Sequence, residues 1–102
     1  MILLHIEHTV IHFENWKMSF DGFADLRQKS GVRRFQISRQ IGNPNFVMID
    51  LEFNGLQQAE TLLAAVQDVW KRVGGTLIQD PQWRISEVVE TVELQASPSP
   101  SA

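Results

Sequence analysis

Near the start of the chain, hydrophobic and polar residues alternate in the pattern of a β-strand. One face of this predicted strand carries every second residue, namely Ile2, Leu4, Ile6, His8 and Val10. The other face is mixed and carries Leu3, His5, Glu7 and Thr9. Because apolar residues occur on both faces, we expect the strand to belong to a sheet that is covered on both sides.

Two further alternating segments, residues 32–41 and 46–53, flank the sequence Gly42-Asn43-Pro44-Asn45. Glycine, asparagine and proline are the residues that favour turns. Two strands that are joined by a four-residue turn form an antiparallel hairpin. The sequence therefore predicts a hairpin in the middle of the chain.

A last strand is predicted from Trp83 to Leu94, because this segment is rich in valine, isoleucine and threonine. It follows a bend at Asp80-Pro81. Its alternation is imperfect at Val88-Val89, which indicates a bulge at that point.

Between the strands, two segments have the periodicity of amphipathic helices. We expect the first helix to begin at Trp16, with Asn15 as its N-terminal cap, and to stop at Gly31. Its apolar stripe comprises Trp16, Phe20, Phe23 and Arg27. The second helix follows Asn54, with Gln57 placed for a capping-box contact, and ends at two consecutive glycines.

The predicted order βαββαβ is that of the ferredoxin-like fold, an α+β architecture with two helices on one face of a four-stranded antiparallel sheet. The uncovered face retains Leu3, Phe46 and Met48, so a monomer would expose apolar surface. Pairing two such faces buries this surface in a two-fold homodimer. We expect the domain to occupy residues 1–95, because residues 96–102 are rich in serine and proline and predict a disordered tail.

Composition narrows the chemistry that the chain can perform. The 102 residues include no cysteine and no tyrosine, which excludes thiol nucleophiles, disulfides, cysteine zinc sites and phenolic acids. The net charge of -3 argues against a nucleic-acid partner. No segment approaches the roughly 20 apolar residues that span a bilayer. We therefore expect a cytoplasmic protein with no membrane or nucleic-acid partner.

Several motifs of the chain resemble those of a known group of proteins. They are His8-Thr9-Val10, Phe13-Glu14-Asn15-Trp16-Lys17, Asn43-Pro44-Asn45-Phe46-Val47 and the closing Glu87-Val88-Val89-Glu90. Together they resemble the dimeric α/β-barrel proteins related to antibiotic-biosynthesis monooxygenases, specifically short bacterial members without a known function.

This resemblance implies a ferredoxin-like subunit, a dimer whose two sheets form a barrel, and a pocket between the sheet and the helices. The superfamily includes cofactor-free oxygenases of polycyclic aromatics, haem-degrading enzymes, small isomerases and proteins without a known activity. The resemblance therefore selects the fold and leaves the activity open.

His8 and Arg39 are the candidate catalytic residues. By alternation, His8 points towards the helices among apolar neighbours, where a histidine can transfer protons near neutral pH. The alternative is a core histidine that is hydrogen-bonded within the fold. Arg39 lies on the apolar face of its strand, where a guanidinium can stabilise an enolate or bind a carboxylate. The alternative for Arg39 is a snorkelling or internally paired side chain.

Aromatic side chains supply the candidate walls of a ligand pocket. The candidate pocket residues are Trp16, Phe20, Arg27, Trp70 and Trp83. For the residues of the first helix, the alternative is that the apolar stripe is ordinary core. Arg27 has the same alternatives as Arg39, with Glu52 or Glu90 as its internal partner.

The three histidines do not predict a metal site. His5 and His8 are three residues apart, so they face opposite sides of a strand. No carboxylate follows at a recognisable ligand spacing, and no glycine-rich phosphate loop is present. We therefore predict neither a metal nor a cofactor.

Three functions are compatible with these observations. The first is a homodimer that binds a small apolar or aromatic ligand in its pocket. The second is a cofactor-independent monooxygenase or isomerase acting on a small aromatic or enolisable substrate, with His8 as base and Arg39 as electrophilic partner. The third is a purely structural or interaction protein whose pocket is filled by side chains such as Trp16 and Phe20. An open cavity on which His8 and Arg39 converge would favour the second function.

Overall fold

The computed structural model describes residues 1–73 and 75–95. Its elements are β1 (Ile2–Val10), α1 (Phe13–Asp21), α2 (Ala24–Lys29), β2 (Arg34–Gln40), β3 (Asn43–Phe53), α3 (Leu56–Val73) and β4 (Ile78–Glu87). The α+β class is confirmed, with the first helical segment divided into two helices. The predicted disordered tail, residues 96–102, lies outside the described residues.

The four strands form one antiparallel sheet in the order β2-β3-β1-β4. β2 and β3 form the predicted hairpin, while β1 lies between β3 and β4. This arrangement confirms the ferredoxin-like βαββαβ plan. In the part of the chain that the structure describes, no helix is long and apolar enough to cross a membrane.

Burial alternates along the two central strands, as the sequence pattern predicts. The buried side chains of β1 and β3 are Leu4, Ile6, His8, Val10, Val47, Ile49, Leu51 and Phe53. Trp16 of α1 and Ala59 and Leu62 of α3 belong to the same core. Because all of these side chains share one face, the helices cover that face and leave the other open. Full burial of such a side chain contributes roughly 1.5–3 kcal/mol.

The first helix differs from its prediction at its start and in its middle. It begins at Phe13, three residues before the predicted start, because His12 has the extended backbone that precedes a helix. The Gly22 N–H group donates to the carbonyls of both Met18 and Ser19, and Phe23 then leaves the helical region with φ -101° and ψ 21°. This interruption separates α1 from α2.

The hairpin turn and the start of α3 are each shifted slightly from their predicted positions. Gln40 pairs with Asn43, so the turn contains two residues, and Gly42 provides the positive φ of 86° that it requires. At α3, the N–H group of Gly55 donates to Oε1 of Gln58 over 3.3 Å. The predicted capping contact between Asn54 and Gln57 is therefore wrong by one residue.

β4 lies earlier in the chain than the sequence predicts. It spans Ile78–Glu87 rather than residues 83–94, because Asp80 and Pro81 are part of the strand instead of a bend before it. Glu7 pairs with Gln82 and Thr9 pairs with Gln79, so two residues of β4 lie opposite the single residue between them in β1. This is a β-bulge, and Asp80 has the positive φ of 52°. The bulge predicted at Val88-Val89 is wrong, since both residues follow the strand.

Candidate functional site

A cavity of about 90 Å³ lies between the helix-covered face of the sheet and the helices. Its walls are apolar apart from a few polar groups, which include His8, Ser19 and Arg27. The sheet contributes residues such as Ile6 and Ile49, and α3 contributes Leu62 and residues of its C-terminal half. The structure therefore has a space between sheet and helices, at the place where the resemblance implied a pocket.

His8 forms part of the cavity wall and is almost fully buried, with 2% of its surface exposed. Its ring meets Trp16 edge-on, with 5.5 Å between the ring centroids. Its Nδ1 atom is buried and has no hydrogen-bond partner in any other described residue, and the backbone of His8 itself supplies the contact that opposes the lowering of its pKa. Burial, which disfavours the charged imidazolium, lowers the pKa of His8 from 6.5 to about 4. The ring is therefore neutral at pH 7.

The bulge in β4 lies directly opposite His8. In the regular ladder each residue of β1 has one partner in β4, but Asp80 and Pro81 together occupy the position across from His8. Proline has no N–H group, so it cannot contribute a ladder hydrogen bond there. The bulge thus interrupts the strand pairing beside the one buried histidine of the described chain.

Arg27 of α2 also lines the cavity, and only 8% of its surface is exposed. Its Nη1 donates to the carbonyl of Phe20 over 2.6 Å, at the C-terminal end of α1. Its Cζ lies 3.9 Å from the ring centroid of Phe20 and 5.0 Å from that of Phe35. Burial lowers the pKa of Arg27, while the negative charge of Asp21 opposes this shift.

The contacts of Arg27 differ from both structural alternatives that the sequence left open. The side chain does not extend into solvent, since only 8% of its surface is exposed, and it forms no ion pair with Glu52 or Glu90. Instead, the guanidinium contacts the electronegative end of a helix and the faces of two aromatic rings. It is therefore a buried cation whose partners are a carbonyl oxygen and π-electrons.

Arg39 does not line the cavity. It is on the helix-facing side of β2, as predicted. Arg39 pairs with Val47 of β3, and Val47 in turn pairs with His8 of β1. Neighbouring strands are about 4.8 Å apart, so the Cα atoms of Arg39 and His8 are separated by about 10 Å. The Arg39 side chain is exposed; its Nε donates to the Pro44 carbonyl over 2.8 Å, and its Cζ lies 4.0 Å from the Phe13 ring centroid.

Of the other candidate pocket residues, Trp16, Phe20 and Trp70 line the cavity and Trp83 does not. Trp16 and Phe20 are adjacent, with 5.2 Å between ring centroids, and they leave the cavity open rather than filling it. Trp83 contacts Trp70 at a centroid distance of 5.5 Å, yet 44% of its surface is exposed. The structure thus brings together His8, Arg27 and three of the four aromatic candidates.

Most of the apolar cavity wall is missing from the sequence-based set, and three of the missing residues lie around the break between α1 and α2. Phe23 and Leu26 border the interruption between α1 and α2, and Ser19 precedes it. The signal that could have indicated them is Gly22, whose low helix propensity marks a weak point in the helical stripe. In residues 1–73 and 75–95, no group of three histidine, cysteine or acidic residues is arranged to hold a metal ion.

Comparison with known proteins identifies the fold. SnoaB, a cofactor-independent oxygenase from Streptomyces nogalater, superposes with a TM-score of 0.73 at 13% identity, covering 89% of this chain and 95% of SnoaB. A candidate antibiotic biosynthesis monooxygenase from Nitrosomonas europaea gives a TM-score of 0.68 at 14% identity, with 88% and 100% coverage. A dimeric ferredoxin-like protein from an uncultured marine organism gives 0.59 at 16% identity, with 89% and 97% coverage.

No family model and no curated protein sequence matches the chain. The likeness is therefore one of structure, and at these identities it establishes the fold without the activity. The resemblance indicated by the sequence motifs is confirmed at this level: the chain has the ferredoxin-like fold of the proteins related to antibiotic-biosynthesis monooxygenases.

Proposed function

We propose that this chain forms a homodimer through the open face of its sheet and binds a small apolar or aromatic molecule in the cavity. The supporting observation is an apolar cavity whose wall contains a buried histidine with an unpartnered nitrogen. Native cores contain few voids larger than a water molecule. An unsatisfied buried polar atom costs about 1–3 kcal/mol. A purely structural core would avoid both features, whereas a binding site uses them.

The size of the cavity limits the ligand. A cavity of about 150 Å³ in an engineered protein binds benzene, and the cavity described here measures about 90 Å³. An aromatic ligand therefore requires a wall to move outwards. We expect this movement at the junction of α1 and α2, because non-helical backbone at Phe23 interrupts the helix and the Phe23 side chain is partly exposed.

Binding can be tested by NMR titration with benzene, phenol, indole and 1-naphthol. We expect chemical-shift changes at the indole N–H of Trp16 and at amides of the α1–α2 junction. The variant Val66→Phe, which places a larger side chain in the cavity wall, should abolish these changes. Trp83→Phe is the matched control, because Trp83 lies outside the cavity and should leave binding intact. The absence of cavity shifts with all four compounds would contradict the proposal.

The dimer is tested separately by sedimentation equilibrium. A homodimer has twice the 11.7 kDa mass of the chain. The open face carries half-buried Leu3, Phe46 and Met48, and covering this apolar surface is the expected driving force. A monomer mass throughout the micromolar range would contradict the dimer and leave the ligand proposal standing.

The second candidate function is cofactor-independent oxygenation or isomerisation of a small aromatic or enolisable substrate. The observation that favours it is a neutral imidazole in an apolar cavity, in a fold shared with SnoaB. His8 would accept a proton from the substrate, and Arg27 is the guanidinium that lines the same cavity. A base with such a low pKa is weak, so the substrate must carry an acidic proton.

Oxygen uptake with an anthrone and a quinol substrate tests this second function. Wild type should show activity above background, which His8→Ala and Arg27→Gln should remove. Arg39→Gln is the matched arginine control and should retain the activity, because Arg39 is outside the cavity. Equal rates for wild type and His8→Ala would contradict a catalytic role for His8.

A further inference from the structure

The open face of the sheet carries a cluster of charged side chains around His5. Nδ1 of His5 lies 2.7 Å from Oδ1 of Asp50 on β3, and Nε2 lies 2.9 Å from Oε1 of Glu7 on β1. Arg84 of β4 is paired with His5 in the strand register, and its Nη2 lies 3.8 Å from Glu7 Oε1. We refer to His5, Glu7, Asp50 and Arg84 as the His5 cluster.

The geometry of this cluster requires a protonated histidine. Ionised carboxylates only accept hydrogen bonds, and a neutral imidazole has a single N–H group to donate. Both ring nitrogens of His5 contact carboxylates, so both must carry a proton. Partial burial alone would lower the pKa of His5, but the hydrogen bonds and negative charges of Asp50 and Glu7 outweigh it and raise the pKa above 6.5.

The same proton lowers the negative charge of the open face. Besides the His5 cluster, the face carries Arg34 of β2 paired with Glu52 of β3. The charged groups of the four strands are therefore three carboxylates, two guanidinium groups and His5. Glu93, which follows β4, adds a negative charge near Arg34 and helps to raise the pKa of that guanidinium. With Glu93 included, the groups sum to one negative charge when His5 is protonated and to two when it is neutral.

We propose that this face binds a second copy of the chain in a proton-dependent manner, so that deprotonation of His5 weakens the dimer. This inference rests on the dimer proposed above. An interface excludes water, and a charge left unpaired there is strongly unfavourable. Loss of the His5 proton leaves a further uncompensated carboxylate on each subunit, and a two-fold interface brings both into contact with the partner.

The test is sedimentation velocity at several protein concentrations between about pH 6 and about pH 9, which yields the dimer dissociation constant. One proton released per subunit changes this constant by at most about tenfold per pH unit, or about a hundredfold for two subunits. We expect wild type to dimerise about tenfold more weakly at the upper end of the range. His5→Gln should show weak, pH-independent dimerisation. His12→Gln, an exposed histidine outside the sheet, is the matched control and should behave as wild type.

The double variant Glu7→Gln/Asp50→Asn should reverse the pH response of the dimer. It leaves the two arginines opposite Glu52 and Glu93, so the face is neutral when His5 is neutral, and protonation of His5 adds an unpaired positive charge. Raising the pH should then strengthen the dimer, which is opposite to the wild-type response. A wild-type dimer of pH-independent affinity, or the wild-type response in His5→Gln, would overturn the inference while leaving the dimer intact. A monomer at every pH would overturn the dimer as well.

Discussion

Replacing His8 by leucine should stabilise the protein. The wild-type core retains a buried Nδ1 atom without a partner, and such an atom costs about 1–3 kcal/mol. Leucine removes this atom and keeps an apolar side chain against the core. The edge-on contact with Trp16 is lost, and contacts of this kind are worth about 0.5–1.5 kcal/mol. The net expectation is a gain of about 1 kcal/mol in the free energy of unfolding at pH 7.

The gain should grow as the pH falls. Folding lowers the pKa of His8 from 6.5 to about 4, so between these values the unfolded chain binds a proton that the folded chain does not. His8 therefore destabilises the wild-type fold as the pH falls through this range. The value of pH 5 is about 1.5 units below the pKa of His8 in the unfolded chain. Protonation of the unfolded chain therefore lowers the free energy of unfolding of wild type by about 2 kcal/mol at pH 5. Leucine does not titrate, so the variant does not lose this free energy of unfolding as the pH falls.

Urea unfolding at pH 7 and pH 5 measures both effects. Wild type and variant must be compared at equal protein concentration, because dimerisation contributes to apparent stability. His12→Leu is the control for replacing a histidine by leucine, since His12 is exposed and its side chain makes no capping hydrogen bond. A His8→Leu variant that is less stable than wild type at pH 7 would refute the reasoning. So would a gain that stays constant on acidification.

Three further predictions concern the stability of the fold. Arg27→Ala should lower the free energy of unfolding by about 2 kcal/mol in urea titrations, because the carbonyl contact and both ring contacts of the guanidinium are lost. Gly31→Ala should cost at least about 1–2 kcal/mol in the same assay, since φ is 88° and the new Cβ would lie 2.6 Å from the Gln58 side chain. Trp83→Ala should shift the thermal midpoint less than Trp70→Ala, as differential scanning fluorimetry can show, because Trp83 is the more exposed indole.

The helix-covered face of the sheet could be predicted from the sequence because strand periodicity fixes which side each residue occupies. His8 and Arg39 both lie on the predicted face, yet only His8 reaches the cavity. Alternation predicts which face of the sheet a residue occupies, but it does not predict how many strands separate two residues on that face. Arg39 is two strands away from His8. The sequence therefore predicted the correct face of the sheet for both polar candidates and could not show which of them is near the cavity.

The interruptions of regular structure were harder to predict than the structure itself. Asp80-Pro81 is a strong turn signal, but the strand register of β4 incorporates both residues as a bulge. Likewise, Gly22 and Phe23 fit a continuous helical stripe, and only the backbone shows that the helix breaks there. Both interruptions border residues of the cavity wall. Tertiary packing determines where a helix breaks or a strand bulges, and the periodicity of the sequence does not report on tertiary packing.

The bulge at Asp80-Pro81 has a consequence beyond its position opposite His8. β4 is an edge strand of the sheet, and a regular edge offers free N–H and C=O groups to any extended chain. The bulge at Asp80-Pro81 breaks the regular spacing of these groups, and the left-handed backbone of Asp80 twists the strand locally. An incoming strand therefore cannot continue the ladder past this point. The feature that interrupts pairing beside the histidine also protects the sheet from edge-to-edge aggregation.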